Sequence, residues 1–195
     1  MTTYRSRTWI PPLVQQAIEL AQWMGFENSC IPEVGRLLSV LAAGVRGGTV
    51  GEVGTGCGVG AAWLASGLAT DSRFVTVEAD GERVASAAAL FRDHSNVQVL
   101  HGDWHAILAH GPFDLLFVDA SPAKYDEPAV VVEALRPGGL VVLDDLTPEE
   151  YWPAEWQGRP DVVREFWLND ARLRATEVLT TPRTVAILAA RIGCR

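Results

Sequence analysis

At 195 residues, with 48% hydrophobic and 21% charged side chains, the chain has the size and composition of one folded α/β domain, which excludes extensive disorder and fibrous or repeat architectures. A formal net charge of -8 repels phosphate backbones, and a single lysine, Lys124, among 16 basic residues leaves no polylysine patch, so neither nucleic acid nor an anionic membrane is an expected partner. Cys30, Cys57 and Cys194 are odd in number, far apart and without CxxC spacing, which excludes a zinc site or a disulfide framework and points to a reducing cytoplasm.

The elements follow in chain order. Residues 1–12 carry arginines but no apolar stretch of signal-peptide length, and no later run approaches the roughly 18 to 20 apolar residues that span a bilayer. Leu13, Ala17, Leu20, Ala21 and Met24 recur at helical spacing behind two prolines and predict an amphipathic helix over 11–25. A second helix is predicted from Pro32 through Val34, Leu37, Leu38 and Leu41 to a glycine stop at Gly44. From residue 49 the pattern turns to short apolar runs, over 49–53, 74–78, 97–100, 113–118 and 140–143, separated by helix-length stretches over 59–68, 81–92, 103–109 and 126–135. That alternation predicts a mostly parallel sheet with helices on both faces, whose ligand sites lie at the carboxyl ends of the strands. After a Pro-, Trp- and Glu-rich stretch over 147–160, a helix near 161–169 precedes strands over 174–179 and 184–190. The turn at 180–183 is so short that these two strands should pair as an antiparallel hairpin. One domain over 1–195 is expected, with helices over 1–46 covering the site and a core over 47–195.

Three features carry chemistry. Gly54-Thr55-Gly56-Cys57-Gly58-Val59-Gly60 takes a strand that holds Glu52 straight into a helix, with a glycine at every second position, which brings backbone N–H groups and a helix N-terminus close to a ligand. Gly56, Gly58 and Ala61 can also be counted as a GxGxxA dinucleotide fingerprint. Glu78 ends the second strand, where an acidic side chain accepts hydrogen bonds from ribose hydroxyls; a solvated strand-end glutamate is the bland alternative. Asp103-Trp104 follows the third strand, where the carboxylate could take the exocyclic amine of adenine and the ring could lie on its face; Asp103 also fits the N-cap of the next helix.

These features in this order, followed by Phe113-Asp114-Leu115-Leu116-Phe117-Val118-Asp119 and by Leu135-Arg136-Pro137-Gly138-Gly139-Leu140, resemble the class I S-adenosylmethionine-dependent methyltransferases. The resemblance implies a Rossmann-like α/β fold: a mixed, mostly parallel seven-stranded sheet with a C-terminal antiparallel hairpin. Within the class the chain is similar to the small-molecule O-methyltransferases of the catechol and caffeoyl-CoA type, a similarity that includes Ile31-Pro32-Glu33-Val34-Gly35-Arg36-Leu37-Leu38.

The resemblance implies that Glu52, Gly54, Thr55, Gly56, Gly58, Glu78, Asp103, Trp104 and Asp119 bind S-adenosylmethionine, and that Asp119, Asp144 and Asp145 hold a divalent cation, usually Mg2+, which grips two vicinal oxygens of the acceptor. It also implies catalytic roles for Asp119 and Asp144, to which Lys124 is added as a candidate base from the sequence itself. The match departs from the family in two places. Asp144-Asp145 stands where the family has Asp-Asn, and Asp119-Ala120-Ser121-Pro122 where it has Asp-Ala-Asp-Lys, so Pro122 occupies the place of the lysine beside the reacting hydroxyl. Lys124 is the substitute on offer, with a solvated loop residue as its alternative, and Asp119 has a second reading as a helix cap or a contact to the cofactor's amino group. His101 and His105 are further base candidates. Tyr151, Trp152 and Trp156 either build an acceptor pocket or seal the sheet edge or a dimer contact.

The expected activity is methyl transfer to a small-molecule oxygen, and the resemblance and the aromatic residues favour a homodimer. Two rival functions stay open: a nicotinamide oxidoreductase, on the GxGxxA reading, and a metal-independent methyltransferase or non-catalytic adenosylmethionine-binding protein, on the missing lysine.

Overall fold

The computed structural model describes residues 9–193. Two N-terminal helices, α1 (Pro12–Trp23) and α2 (Pro32–Ala43), each start on a proline, whose missing N–H costs nothing in a first turn. Then come β1 (Thr49–Val53), α3 (Val59–Gly67), β2 (Arg73–Glu78), α4 (Gly81–Leu90), β3 (Val97–His101), a 3-10 helix (Trp104–His110) and β4 (Phe113–Val118). The chain continues through α5 (Ser121–Tyr125), α6 (Pro128–Ala134), β5 (Leu135–Leu146), a 3-10 turn (Glu149–Tyr151), α7 (Val162–Asn169), β6 (Leu173–Thr181) and β7 (Thr184–Arg191).

All seven strands form one sheet in the order β3-β2-β1-β4-β5-β7-β6. β1 to β5 run parallel, while β7 pairs antiparallel with both β5 and β6, as the terminal hairpin required. Both faces of the sheet are covered, which explains why the central strands read as unbroken apolar runs. Successive residues of β4 serve opposite faces: Leu115 and Phe117 pack with Val14, Leu38 and Trp63 of the α1–α3 side, and Leu116 and Val118 with Trp104, Val131 and Trp167 of the other. The sheet order reverses between β1 and β4, and the backbone N–H groups of Asp119 and Ala120 both donate to the Val53 carbonyl, at 2.9 and 3.1 Å. That reversal is where open α/β sheets leave a crevice for ligands.

Four elements differ from expectation. The segment after β3 is a 3-10 helix. The helix expected over 126–135 is α6 alone, and a separate short helix, α5, precedes it over 121–125 where none was expected; the two stay apart because Pro128 has no N–H to give and holds Glu127 out of helical geometry, at φ -133° and ψ 48°. β5 begins five residues early, its Leu135 pairing with Phe113 ahead of a register shift. The hairpin turn shrinks to residues 182–183. Cys194 lies outside the described residues. No helix among the described residues is long and apolar enough to cross a membrane.

Candidate functional site

A cavity of about 310 Å³ opens over the carboxyl ends of β1, β2 and β4, between Phe26, Cys30, Gly54, Gly56, Glu78 and Asp119. Gly54, Gly56 and Gly58 all take positive φ, at 96°, 54° and 88°, a region costly for residues with a Cβ. A Cβ on Gly54 would stand 3.2 Å from the Ala120 nitrogen, and one on Gly56 would stand 3.0 Å from the Phe26 ring. The glycines therefore supply room and turn geometry. Their N–H groups are spent inside the protein: Gly54 and Thr55 donate to the Val77 carbonyl, Gly58 to Thr55 and Gly56 to Glu78. That corrects the expectation that bare peptide N–H groups face the ligand at these four positions.

Glu78 sits at the β2 tip with its side chain only 8% exposed. Its Oε2 accepts from the Gly56 N–H at 2.8 Å, and its Oε1 from the Asp80 N–H at 2.9 Å and the Arg83 guanidinium at 2.8 Å. Burial pushes its proton affinity up, but Arg83 and the two backbone donors outweigh burial and hold the carboxyl below its ordinary value. Three of about four acceptor directions on a carboxylate are used, which leaves Oε2 able to take one hydroxyl from a ligand. Arg83, which also lies over the Phe26 ring at 5.5 Å, escaped the sequence reading; its signal is an arginine two residues into the helix that follows a strand-tip acid.

Glu52 lies under the same cavity, 1% exposed, and accepts from Thr76 Oγ1 at 2.6 Å. Because Thr76 gives its proton to Glu52, it accepts from Thr55 Oγ1, 2.5 Å away, so loop and strand are tied through a chain of three polar groups. Burial raises the Glu52 proton affinity well above the ordinary value, against the Thr76 hydrogen bond.

Asp103 and Trp104 stand apart from this cavity. Asp103 caps the 3-10 helix by accepting from the His105 N–H, and its side chain is 70% exposed. Trp104 is 7% exposed, belongs to the core and stacks on the His105 ring at 4.0 Å, so it is not the open aromatic face that was expected. His105 binds Asp103 and Glu127, and His101 reaches the Ala79 carbonyl; neither lines the cavity.

Asp119, Asp144 and Asp145 are gathered at the tips of β4 and β5, and with Glu27, Asn28, Ser29 and Cys30 they line an adjoining cavity, again about 310 Å³. Burial, then the Asp145 and Asp144 charges, push Asp119 up to about 7 against the pull of Lys124. Asp144 is pushed up to about 6, chiefly by burial. Lys124 is not a loop residue: α5 turns it inward until it is 3% exposed. Its Nζ donates to the Asp144 carbonyl at 3.0 Å and stands 3.9 Å from both Asp119 Oδ1 and Asp145 Oδ2. The aspartates are brought together as expected, but around an ammonium. Among the described residues no three His, Cys, Asp or Glu side chains converge as a set of metal ligands. The donor set does not fit a divalent cation while the Lys124 ammonium stands 3.9 Å from the Asp119 and Asp145 carboxylates.

Asp145 has φ 64°, and among the described residues it is the one non-glycine residue at positive φ. It lines both cavities above and a third of about 230 Å³, whose walls include Tyr125, Trp152, Trp156, Arg159 and Val162. Trp152 is fixed by donating to the Thr147 carbonyl and meets Trp156 edge to face at 6.3 Å. Tyr151 lies outside this cavity, under the Arg183 guanidinium.

A methyltransferase-domain family model matches residues 52–146. The chain is 36% identical over 168 residues to a protein named as an O-methyltransferase in Mycobacterium ulcerans, covering 80% of this chain and 72% of that one. It is 37% identical over 168 residues to a similarly named protein of Mycobacterium avium, with 80% and 73% covered. Among solved structures it resembles the O-methyltransferase TomG of Streptomyces achromogenes in complex with SAM, at TM-score 0.79 and 25% identity over 97% of this chain and 95% of that one. It also resembles the Bacillus cereus O-methyltransferase in complex with SAH, at TM-score 0.77 and 23% identity over 96% and 95%.

Proposed function

The chain belongs to the class I S-adenosylmethionine-dependent O-methyltransferases, and from that premise we propose that it methylates a hydroxyl of a small, flat aromatic acceptor where the three cavities that Asp145 lines meet. The observation that carries the placement is Glu78, a carboxylate fixed from three sides with one acceptor direction open to the cavity over β1, β2 and β4.

In this reading Glu78 takes a ribose hydroxyl of the cofactor. Gly54, Thr55, Gly56 and Gly58 make room for its methionine part, Glu52 and Asp119 border that end, and Asp103 reaches the adenine from outside the cavity; Trp104 supports Asp103 from the core. The segment over 26–30, between α1 and α2, covers the cofactor. Trp152 and Trp156 flank the acceptor ring, with large, stiff faces that cost little entropy to order.

The reaction is an in-line displacement. The acceptor oxygen forms a bond to the sulfonium methyl carbon, the carbon–sulfur bond breaks, the sulfur leaves as the neutral thioether of S-adenosylhomocysteine, and the hydroxyl proton passes to a base. Asp119 borders both the cofactor cavity and the acid-lined cavity, and its carboxyl, held near 7, suits that task. The remaining work is alignment and exclusion of water, since a sulfonium is already a strong electrophile.

Calorimetric titration with S-adenosylhomocysteine tests the placement. Glu78→Ala is expected to weaken binding by about 1 to 3 kcal/mol, roughly 5- to 150-fold, because a hydroxyl buried against it loses its acceptor. Unchanged affinity would remove Glu78 from the site.

A further inference from the structure

In the family that the chain resembles, a divalent cation sits among the positions of Asp119, Asp144 and Asp145. Here the same three residues surround a side chain of the protein itself. α5 opens at Ser121 with Pro122 in its first turn and directs Lys124 back toward the strand tips. The indole N–H of Trp167, a fully buried residue of α7, donates to the Lys124 carbonyl at 3.3 Å and holds the turn in place. The ammonium then donates to the Asp144 carbonyl at 3.0 Å, with Asp119 and Asp145 oxygens each 3.9 Å away. Among the described residues no Arg or His is paired with any of the three aspartates.

We propose that Lys124 takes the place of the divalent cation. It is a positioning residue that holds Asp119 and Asp145 together against their mutual repulsion at the junction of the three cavities, so methyl transfer by this chain needs no added metal. Two features of the chain agree with that role. A divalent ion such as Mg2+ requires oxygen donors at about 2.0 to 2.1 Å in near-octahedral array, and admitting one here means driving a buried lysine out of its hydrogen bond. The lysine expected beside the reacting hydroxyl is replaced by Pro122, and the one lysine of the chain lies two positions further on, beneath the carboxylates rather than beside the acceptor. The proposal rests on reading these aspartates as the acceptor end of the methyl-transfer site.

The test titrates the full-length protein with Mn2+ alone, followed by electron paramagnetic resonance, beside calorimetry with S-adenosylhomocysteine. The wild type is expected to leave millimolar Mn2+ in its free hydrated form. Lys124→Gln removes the ammonium from Asp119 and Asp145 and is expected to raise Mn2+ affinity at least tenfold, whereas Lys124→Arg keeps the charge and stays silent. Methyl transfer by the wild type is expected to be the same in excess chelator and in excess Mg2+. Stoichiometric Mn2+ binding by the wild type overturns the proposal, as does a rate that falls on chelation and returns with Mg2+. So does a folded Lys124→Gln protein without gained Mn2+ affinity. If that variant fails to fold, the wild-type and Lys124→Arg titrations decide. Loss of S-adenosylhomocysteine binding in the wild type would instead sink the cofactor site and leave the Mn2+ result readable.

Discussion

Glu78 and Asp119 are both acids at strand tips facing one cavity, yet their proton affinities move in opposite directions, and the cause is what surrounds each oxygen. Glu78 is met by a guanidinium and two backbone N–H groups, so ionisation is favoured. Its contribution to stability is present above its ordinary value of 4.5 and is lost as pH falls through its lowered folded value. Asp119 and Asp144 are raised from 3.8 to about 7 and about 6 chiefly by burial, which neighbouring carboxylates reinforce and which Lys124, and for Asp144 the Asp145 backbone N–H, only partly offset. Their contribution has the reverse sign: it is fully present below 3.8 and lost as pH rises through those folded values. Asp119→Asn removes a charge that the fold disfavours near neutrality. Its thermal stability is expected to gain on the wild type by about 1 to 2 kcal/mol, or about 2 to 8 °C in Tm, between pH 5 and pH 8. A difference that stays constant over that range would mean that Asp119 ionises normally.

At the scale of elements, β1 to β4, the glycine turn, and the strand-tip acids Glu78, Asp119 and Asp144 were all legible in the sequence. Strands buried on both faces announce themselves as short apolar runs, and a ligand site in such a sheet has a fixed address at the strand ends. Other parts were illegible for stated reasons. β5 starts at Leu135 and runs on through Arg136-Pro137-Gly138-Gly139, which reads locally as a turn and is bracketed into the strand by the Leu135–Phe113 and Leu140–Leu115 pairings with β4. α5 is five residues long, too short to show an apolar period. A lone lysine is solvated by default, and Lys124 is drawn inside by partners 20 and 43 positions away, Asp144 and Trp167. Trp104, expected against the adenine face, lies in the core instead, because core packing and base stacking call for the same aromatic side chain. The hold of α7 on α5 can be measured by chemical denaturation. Trp167→Phe keeps most of the packing and is expected to cost about 1 kcal/mol for the lost hydrogen bond. Trp167→Ala also opens a cavity and is expected to cost about 3 to 5 kcal/mol. Equal losses would show that packing there contributes little.

For the molecule as a whole, the strand order does what no single residue can. Because β1 is flanked by β2 and β4, the turns after these three strands open toward one crevice, and the segment over 26–30 closes it from the N-terminal side. α1 and α2 are fixed over α3 by close packing in which a Cβ on Gly35 would meet the Trp63 ring at 2.2 Å, so the cover and the sheet form one body. Asp145, held at positive φ near the end of β5, borders the cavity over β1, β2 and β4, the acid-lined cavity and the aromatic cavity together, and there, on the proposed reading, a sulfonium methyl and an acceptor oxygen would meet. The most direct measurement is a crystal structure of the protein with S-adenosylhomocysteine. A ribose hydroxyl is expected about 2.6 to 3.2 Å from Glu78 Oε2, with the sulfur turned toward Asp145. A nucleoside bound elsewhere, or a Glu78 carboxylate still facing only Gly56, Asp80 and Arg83, would contradict it.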